Sequence, residues 1–292
     1  MSSATEKRSL NMAPWLLSGP ALTLFLVMLL VPLILTAILS FRVFDGIGAF
    51  EDVWSLKNYI EILSDDYYYE IFLRTAGMAG AATLLSVLLG VPETLILSRM
   101  RNPWRGLFLV VILAPLLISV IVRTLGWAIL LGNNGPVNHV MMWLGITDEP
   151  VRMVFTLTGV IIAMTHVMVP FMVISVWASL QKLDPQVEQA ALSLGASNAT
   201  VTRRVVLPQI LPGILSGSII VFALSASAFA TPALLGGRRL KVVATAAYDE
   251  FLSTLNWPLG AAIALILLVA NIIIILGSNR LIERRFRQVF DQ

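Results

Sequence analysis

Two charged residues stand in stretches of sequence that are otherwise almost free of charge, Glu93 near the cytoplasmic end of one predicted span and Arg123 close to the external face of another. Ionised groups in such surroundings are costly and mark ion pairs, gates or recognition of a charged solute. Glu93 could meet an ammonium group, or pair with Arg99, Arg101 or an arginine further along the chain. Arg123 is a poor liner for a cation and suits a gate, a snorkelling anchor or a structural pair. His166 and Pro170 are spaced i, i+4, so the proline leaves the His166 carbonyl without its helical donor and marks a break. Beside that polar spot, Met164, Met168 and Met172 form a stripe that reads chiefly as packing. Tyr248, Asp249 and Glu250 join a ring to carboxylates, a combination that suits an ammonium ion or a plain polar lead into a helix.

Other chemistries are excluded. The chain has no Cys and two His, too few for a metal centre or a nucleophilic triad, so no catalytic and no metal residues are expected. No G-x-x-x-x-G-K-[S/T] phosphate loop occurs. Of 292 residues, 58% are hydrophobic and 13% charged, and the mean hydropathy is +0.86. An ordinary soluble domain carries about 25% charge, so a water-soluble enzyme is ruled out. A net charge of +3 is too small to argue for nucleic acid.

The elements that must position these residues are membrane spans. Residues 9–41, 75–92, 106–122, 153–181, 205–237 and 251–279 carry no charge. About 20 helical residues cross a bilayer core, which predicts six spans at 14–41, 74–99, 104–131, 153–180, 210–235 and 257–280. The runs are continuous rather than alternating, so an all-α integral membrane protein is expected, not a barrel. The first run is too long for a signal peptide and reads as a retained anchor. Around it the chain divides into a cytoplasmic tail 1–13, an external segment 42–73, a core 74–280 and a cytoplasmic tail 281–292. Twelve Lys and Arg, among them Lys7, Arg8, Arg203 and Arg284, fall on one side and seven on the other. The positive-inside rule then places both termini in the cytoplasm. Trp127, Trp143 and Trp257 fall at predicted interfaces, as belt anchors do. Ser225 and Ser227 lie in a run of small residues that permits close helix contact or leaves room for a path. Asn133-Asn134-Gly135-Pro136 is a turn signal at the outer mouth, either a simple loop tip, a contact for an external partner or a plug for the path.

One internal segment is different. In 182–208, Asp184 is a good N-cap and Pro185 suits the first helical position. Val187, Ala190, Ala191 and Leu194 make one narrow apolar stripe, and Gly195 fits the C′ position. Ser197 can cap a second short helix that Pro208 stops. Two short helices meeting at a glycine, outside the membrane, read as a docking element for a groove on a partner.

These residues resemble a known family. Ala190-Ala191, Gly195, Val205 and Leu207-Pro208, in that spacing, are similar to the EAA loop of permease subunits in binding-protein-dependent ABC importers. The family usually has Glu directly before the Ala pair. Here that place holds Gln189, with Glu188 one residue earlier. Val122-Arg123-Thr124, Leu130 to Gly135 and Thr231 to Gly237 resemble the polyamine (spermidine/putrescine) branch. The resemblance implies a type I (MetI-like) importer permease in a bacterial inner membrane. Its coupling loop would include Glu188, Gln189, Ala190, Ala191, Leu194, Gly195, Ala196, Arg203, Val205, Leu207 and Pro208. It implies two copies of an ATP-binding subunit, which hold ATP and Mg, with no cofactor in this chain. A second permease, expected to be a different chain, and a periplasmic binding protein complete the set. The path or gate would draw on Glu93, Arg123, Trp127, Asn133, Asn134, His166, Pro170, Ser225, Ser227, Tyr248 and Asp249. A secondary transporter or channel for a small cation, with no ATPase, is the competing reading. A membrane-bound scaffold is the third.

Overall fold

The computed structural model describes residues 13–46, 50–51 and 53–290. The tail bearing Lys7 and Arg8 lies outside the described residues, as do the side chains of the 281–292 tail, Arg284 among them. Helix α1, Ala13–Ser40, is apolar all round. Among the described residues, its stretch from Ser18 to Ser40 buries almost nothing and lies chiefly beside the last helix. The 42–73 segment is more than a loop. It holds a two-strand hairpin, β1 Val43–Phe44 against β2 Phe50–Glu51, and helix α2, Lys57–Ser64. Asn58 fastens α2 to the end of α1 by donating to the Ser40 and Arg42 carbonyls at 2.8 and 2.9 Å.

Helix α3, Asp66–Arg99, starts eight residues before the predicted span, because Asp65 accepts from Tyr67 N–H and caps it there. The predicted third span is not one helix. Helices α4, Trp104–Leu117, and α5, Val120–Leu130, meet at 101°. Pro115 removes one helical donor, and Ile118 and Ser119 then turn into extended backbone. Helix α6, Pro136–Trp143, follows with proline at its start. Helix α7, Leu157–Leu180, is capped by Thr156 and runs unbroken through Pro170, so the expected break there is corrected.

Helix α8, Pro185–Ser193, has Asp184 as its cap. It ends in a Schellman motif. Gly195 N–H donates to Leu192 O and Ala196 N–H to Ala191 O, with Gly195 at φ +85°. Helix α9, Asn198–Val201, is capped by Ser197. Pro208 does not stop it. A π-turn over Thr202–Val206 widens the coil, Leu207 N–H reaches back to Thr202 O, and α10, Leu207–Ala226, continues. The wider turn relieves the crowding a proline ring imposes on the turn before it. The predicted fifth span therefore ends at Ala226. A second π-turn, Pro232–Gly236, follows, then α11, Val243–Leu252, and α12, Trp257–Phe290. Among the described residues, five helices are long and apolar enough to cross a membrane, and the bent α4–α5 pair makes a sixth if it is one span.

The core forms where α3, α7 and α10 pack together. Met164, Met168 and Met172 are buried in it, which settles the methionine stripe as packing. Met172 sits between two glycines. A Cβ added at Gly90 of α3 or Gly217 of α10 would come within 2.9 Å of it, so these glycines set the helix spacing. A second cluster joins Ile62, Tyr68, Ile71, Val243, Leu259 and Ile263 around α11 and α12.

Candidate functional site

Helices α3, α4, α5 and α7 enclose a groove of about 620 Å³. It collects four of the expected path residues, Glu93, Trp127, His166 and Pro170. Its walls are otherwise mostly apolar, with Leu85, Leu89 and Val111 among them. Trp127 is not simply an interface anchor. Its indole N–H donates to His166 Nδ1 at 3.2 Å, and the two rings meet edge-on at 5.5 Å. With Nδ1 accepting, a neutral His166 carries its proton on Nε2. Among the described residues, no hydrogen bond or ion pair reaches the Glu93 carboxylate, and Arg99 turns elsewhere. The result is an apolar trough with one uncompensated carboxylate, an imidazole and an indole.

Arg123 does not line that groove. It is 9% exposed, and its Nη1 donates to the Pro115 carbonyl, while its Nε has no partner. Pro115 lies in the last turn of α4, where helical carbonyls lack donors. The guanidinium therefore staples the 101° bend. Arg123→Ala is expected to leave that carbonyl bare, costing about 1–3 kcal/mol. Thermal melting of the purified protein in detergent should fall, with Arg123→Lys recovering part of the loss. An unchanged melting temperature would show that the staple carries no weight.

The remaining candidates lie apart from the groove. Asn133 and Asn134 line a pocket of about 480 Å³ with Arg152 and Phe155. Tyr248 and Asp249 line another of about 490 Å³. There the Tyr248 ring lies 4.6 Å from that of Phe229, and Asp249 pairs with Lys241 at 2.8 Å. That hydrogen bond pushes the Lys241 ammonium above its ordinary pKa, against the opposing effect of burial. Ser225 is fully buried with no partner for its hydroxyl among the described residues, whereas Ser227 is exposed and bonds the Ala223 carbonyl at 2.7 Å.

Asn138 escaped the sequence reading, although a polar side chain in an apolar helix was a usable signal. It is fully buried, donates to the Gly132 and Val151 carbonyls at 2.9 and 3.1 Å, and accepts from Val151 N–H at 2.8 Å. It ties α6 to the segment leading into α7. Asn138→Ala is expected to free that segment, seen as faster tryptic cleavage after Arg152 with the helical circular dichroism retained. Equal cleavage rates would count against the tie.

The 182–208 segment presents a distinct surface. Ala191 and Ala196 lean on the main core, and Val201 and Val206 are buried in it. Val187 and Leu194 stand 43% and 89% exposed, and Gln189 and Ala190 are exposed with them. Arg203, Leu207 and Pro208 are also exposed, and Val205 is half-buried. Glu188 instead faces Arg99, 3.6 Å from its guanidinium. An exposed apolar stripe on a helix anchored from behind is the form of a docking element.

Residues 8–288 match the family described as the binding-protein-dependent transport system inner membrane component. The chain belongs to that family. It is the permease subunit of an ABC importer, a multi-pass inner-membrane protein, and ATP hydrolysis belongs to a separate subunit. The competing readings as an ATPase-free transporter or a scaffold fall away. The chain is 31% identical over 249 residues to the spermidine/putrescine transport system permease protein PotB of Escherichia coli (strain K12), covering 84% of this chain and 90% of that one. It is 33% identical over 206 residues to the molybdenum transport system permease protein ModB of Mycobacterium bovis, covering 70% and 76%. The fold matches a chain of a bacterial ABC transporter involved in the import of the acidic polysaccharide alginate. The TM-score is 0.76 at 19% identity, over 92% of this chain and 96% of that one. A chain of the MetNI methionine ABC transporter matches at 0.59 and 18% identity, over 76% and 95%.

Proposed function

We propose that the chain passes a small organic cation of the polyamine class, such as spermidine or putrescine, from a periplasmic binding protein to the cytoplasm. The observation that carries this reading is the groove, in which Glu93 is the one carboxylate among mainly apolar walls. A polyamine offers an ammonium group for the carboxylate and methylenes for the walls. Identity alone does not choose the solute, because relatives at similar identity bear polyamine and molybdenum names. The charge of the groove supports a cation, because an ionised Glu93 would repel an oxyanion. The 182–208 loop and both termini then face the cytoplasm. Helix α8 docks on an ATP-binding subunit, present in two copies, which holds ATP and Mg. A second permease, a different chain, closes the groove from the open side. The assembled complex in nanodiscs tests this. Binding protein loaded with spermidine is expected to stimulate ATP hydrolysis, and molybdate is not. Stimulation by molybdate alone would overturn the polyamine reading.

A further inference from the structure

Arg99 is the last residue of α3, six residues beyond Glu93, or about 9 Å along the helix. Its guanidinium reaches two parts of the docking segment. One Nη donates to Thr202 Oγ1 at 2.8 Å and lies 3.6 Å from Glu188 Oε1. Thr202 is suited to this. Its hydroxyl proton is spent on the Asn198 carbonyl at 2.9 Å, which leaves the oxygen lone pairs for Arg99. Thr202 also supplies the carbonyl that closes the π-turn where the docking segment enters α10. Glu188 lies in the first turn of α8. One step along a helix turns a side chain by about 100°, so Glu188 faces its own chain while Gln189 is exposed. Glu188, one residue before Gln189, thus serves an internal contact, and the outward stripe of α8 is uncharged.

We infer that Arg99 is a positioning residue that couples the groove to the docking helix, by clasping Glu188 and Thr202 to the end of the helix that carries Glu93. This rests on the groove as the solute path and α8 as the ATPase dock. A solute drawn to Glu93 displaces α3, and Arg99 carries that displacement to both ends of the docking segment. The contact is half-exposed, so its weight lies in orientation rather than in stability.

Two readouts test the clasp in the reconstituted complex. The first is spermidine uptake per ATP hydrolysed. Arg99→Ala is expected to leave copurification of the ATPase unchanged and to lower that ratio about fivefold, the low end of measured couplings. Arg99→Glu should do the same, and the exchange Arg99→Glu with Glu188→Arg should recover at least half. The second readout needs no solute. The chain lacks cysteine, so Ile96→Cys and Gln186→Cys can carry spin labels. The distance distribution between them should be narrow with Arg99 and broad in Arg99→Ala, with and without ATP. A ratio and a distribution both unchanged by Arg99→Ala would overturn the clasp, as would an exchange no better than Arg99→Glu alone. If the wild-type complex takes up no spermidine, the polyamine reading falls and the spin-label distances alone decide the clasp.

Discussion

Leu194→Asp is expected to release the ATP-hydrolysing subunit from the permease. Leu194 is the C-cap residue of α8, 89% exposed, and it ends the stripe begun by Val187 and continued by Ala190. A large apolar side chain projecting from a helix anchored behind can fill a pocket in a partner's groove. Truncating such an anchor costs at least about 2 kcal/mol, or about thirtyfold in affinity. A carboxylate buried in an apolar groove costs more. The change lies at a solvent-exposed position, so folding and insertion should be unaffected. Copurification of the ATPase with the tagged permease in mild detergent measures the loss. Retention at the wild-type ratio would remove α8 from the interface. Gly195 beside it tests the geometry behind the contact. An added side chain there meets open space, so the cost of Gly195→Ala comes from φ +85° alone and should be small beside that of Leu194→Asp.

Glu93→Gln is expected to lower spermidine uptake about ten- to hundredfold while the complex stays assembled. A hydrogen bond to a charged group contributes about 1.5–3 kcal/mol. The carboxylate has no protein partner among the described residues to compensate it, so a bound ammonium would meet it without competition from the chain. The amide keeps size and polarity and removes only the charge, which separates electrostatics from packing. Uptake by the reconstituted complex, with the binding protein saturated, measures the effect. Unchanged or increased uptake would show that Glu93 is not the group that draws the ammonium along the path.

The membrane architecture was legible because its signal is additive. Charge-free runs of about 20 residues have few alternatives to spanning helices, and α1, α3, α7, α10 and α12 fall on five of the six predicted runs. The local architecture of 182–208 was also legible. Asp184, Gly195 and Ser197 act through bonds to neighbours a few residues away, and all three form the caps their types imply. Helix ends in the membrane were harder. Proline alone did not tell a bend from a straight helix. Pro115 precedes a 101° turn, while Pro170 lies within a continuous helix. The difference is extended backbone at Ile118–Ser119, one turn on, and a guanidinium eight residues away that satisfies the Pro115 carbonyl.

The sequence by itself therefore determined the class of protein, five of the helical spans and the caps of the docking loop, since each follows from hydropathy or from contacts within one helical turn. Only the tertiary structure decided which polar residues belong together. It put Glu93, Trp127 and His166 in one groove, gave Arg123 to a helix end, and set Tyr248 with Asp249 and Asn133 with Asn134 in separate pockets. It also joined Arg99 to Thr202 across more than a hundred positions of chain. Such pairings depend on how α3, α7 and α10 are spaced and rotated. That spacing is set by close approaches such as Met172 between Gly90 and Gly217, which no periodicity along the chain encodes.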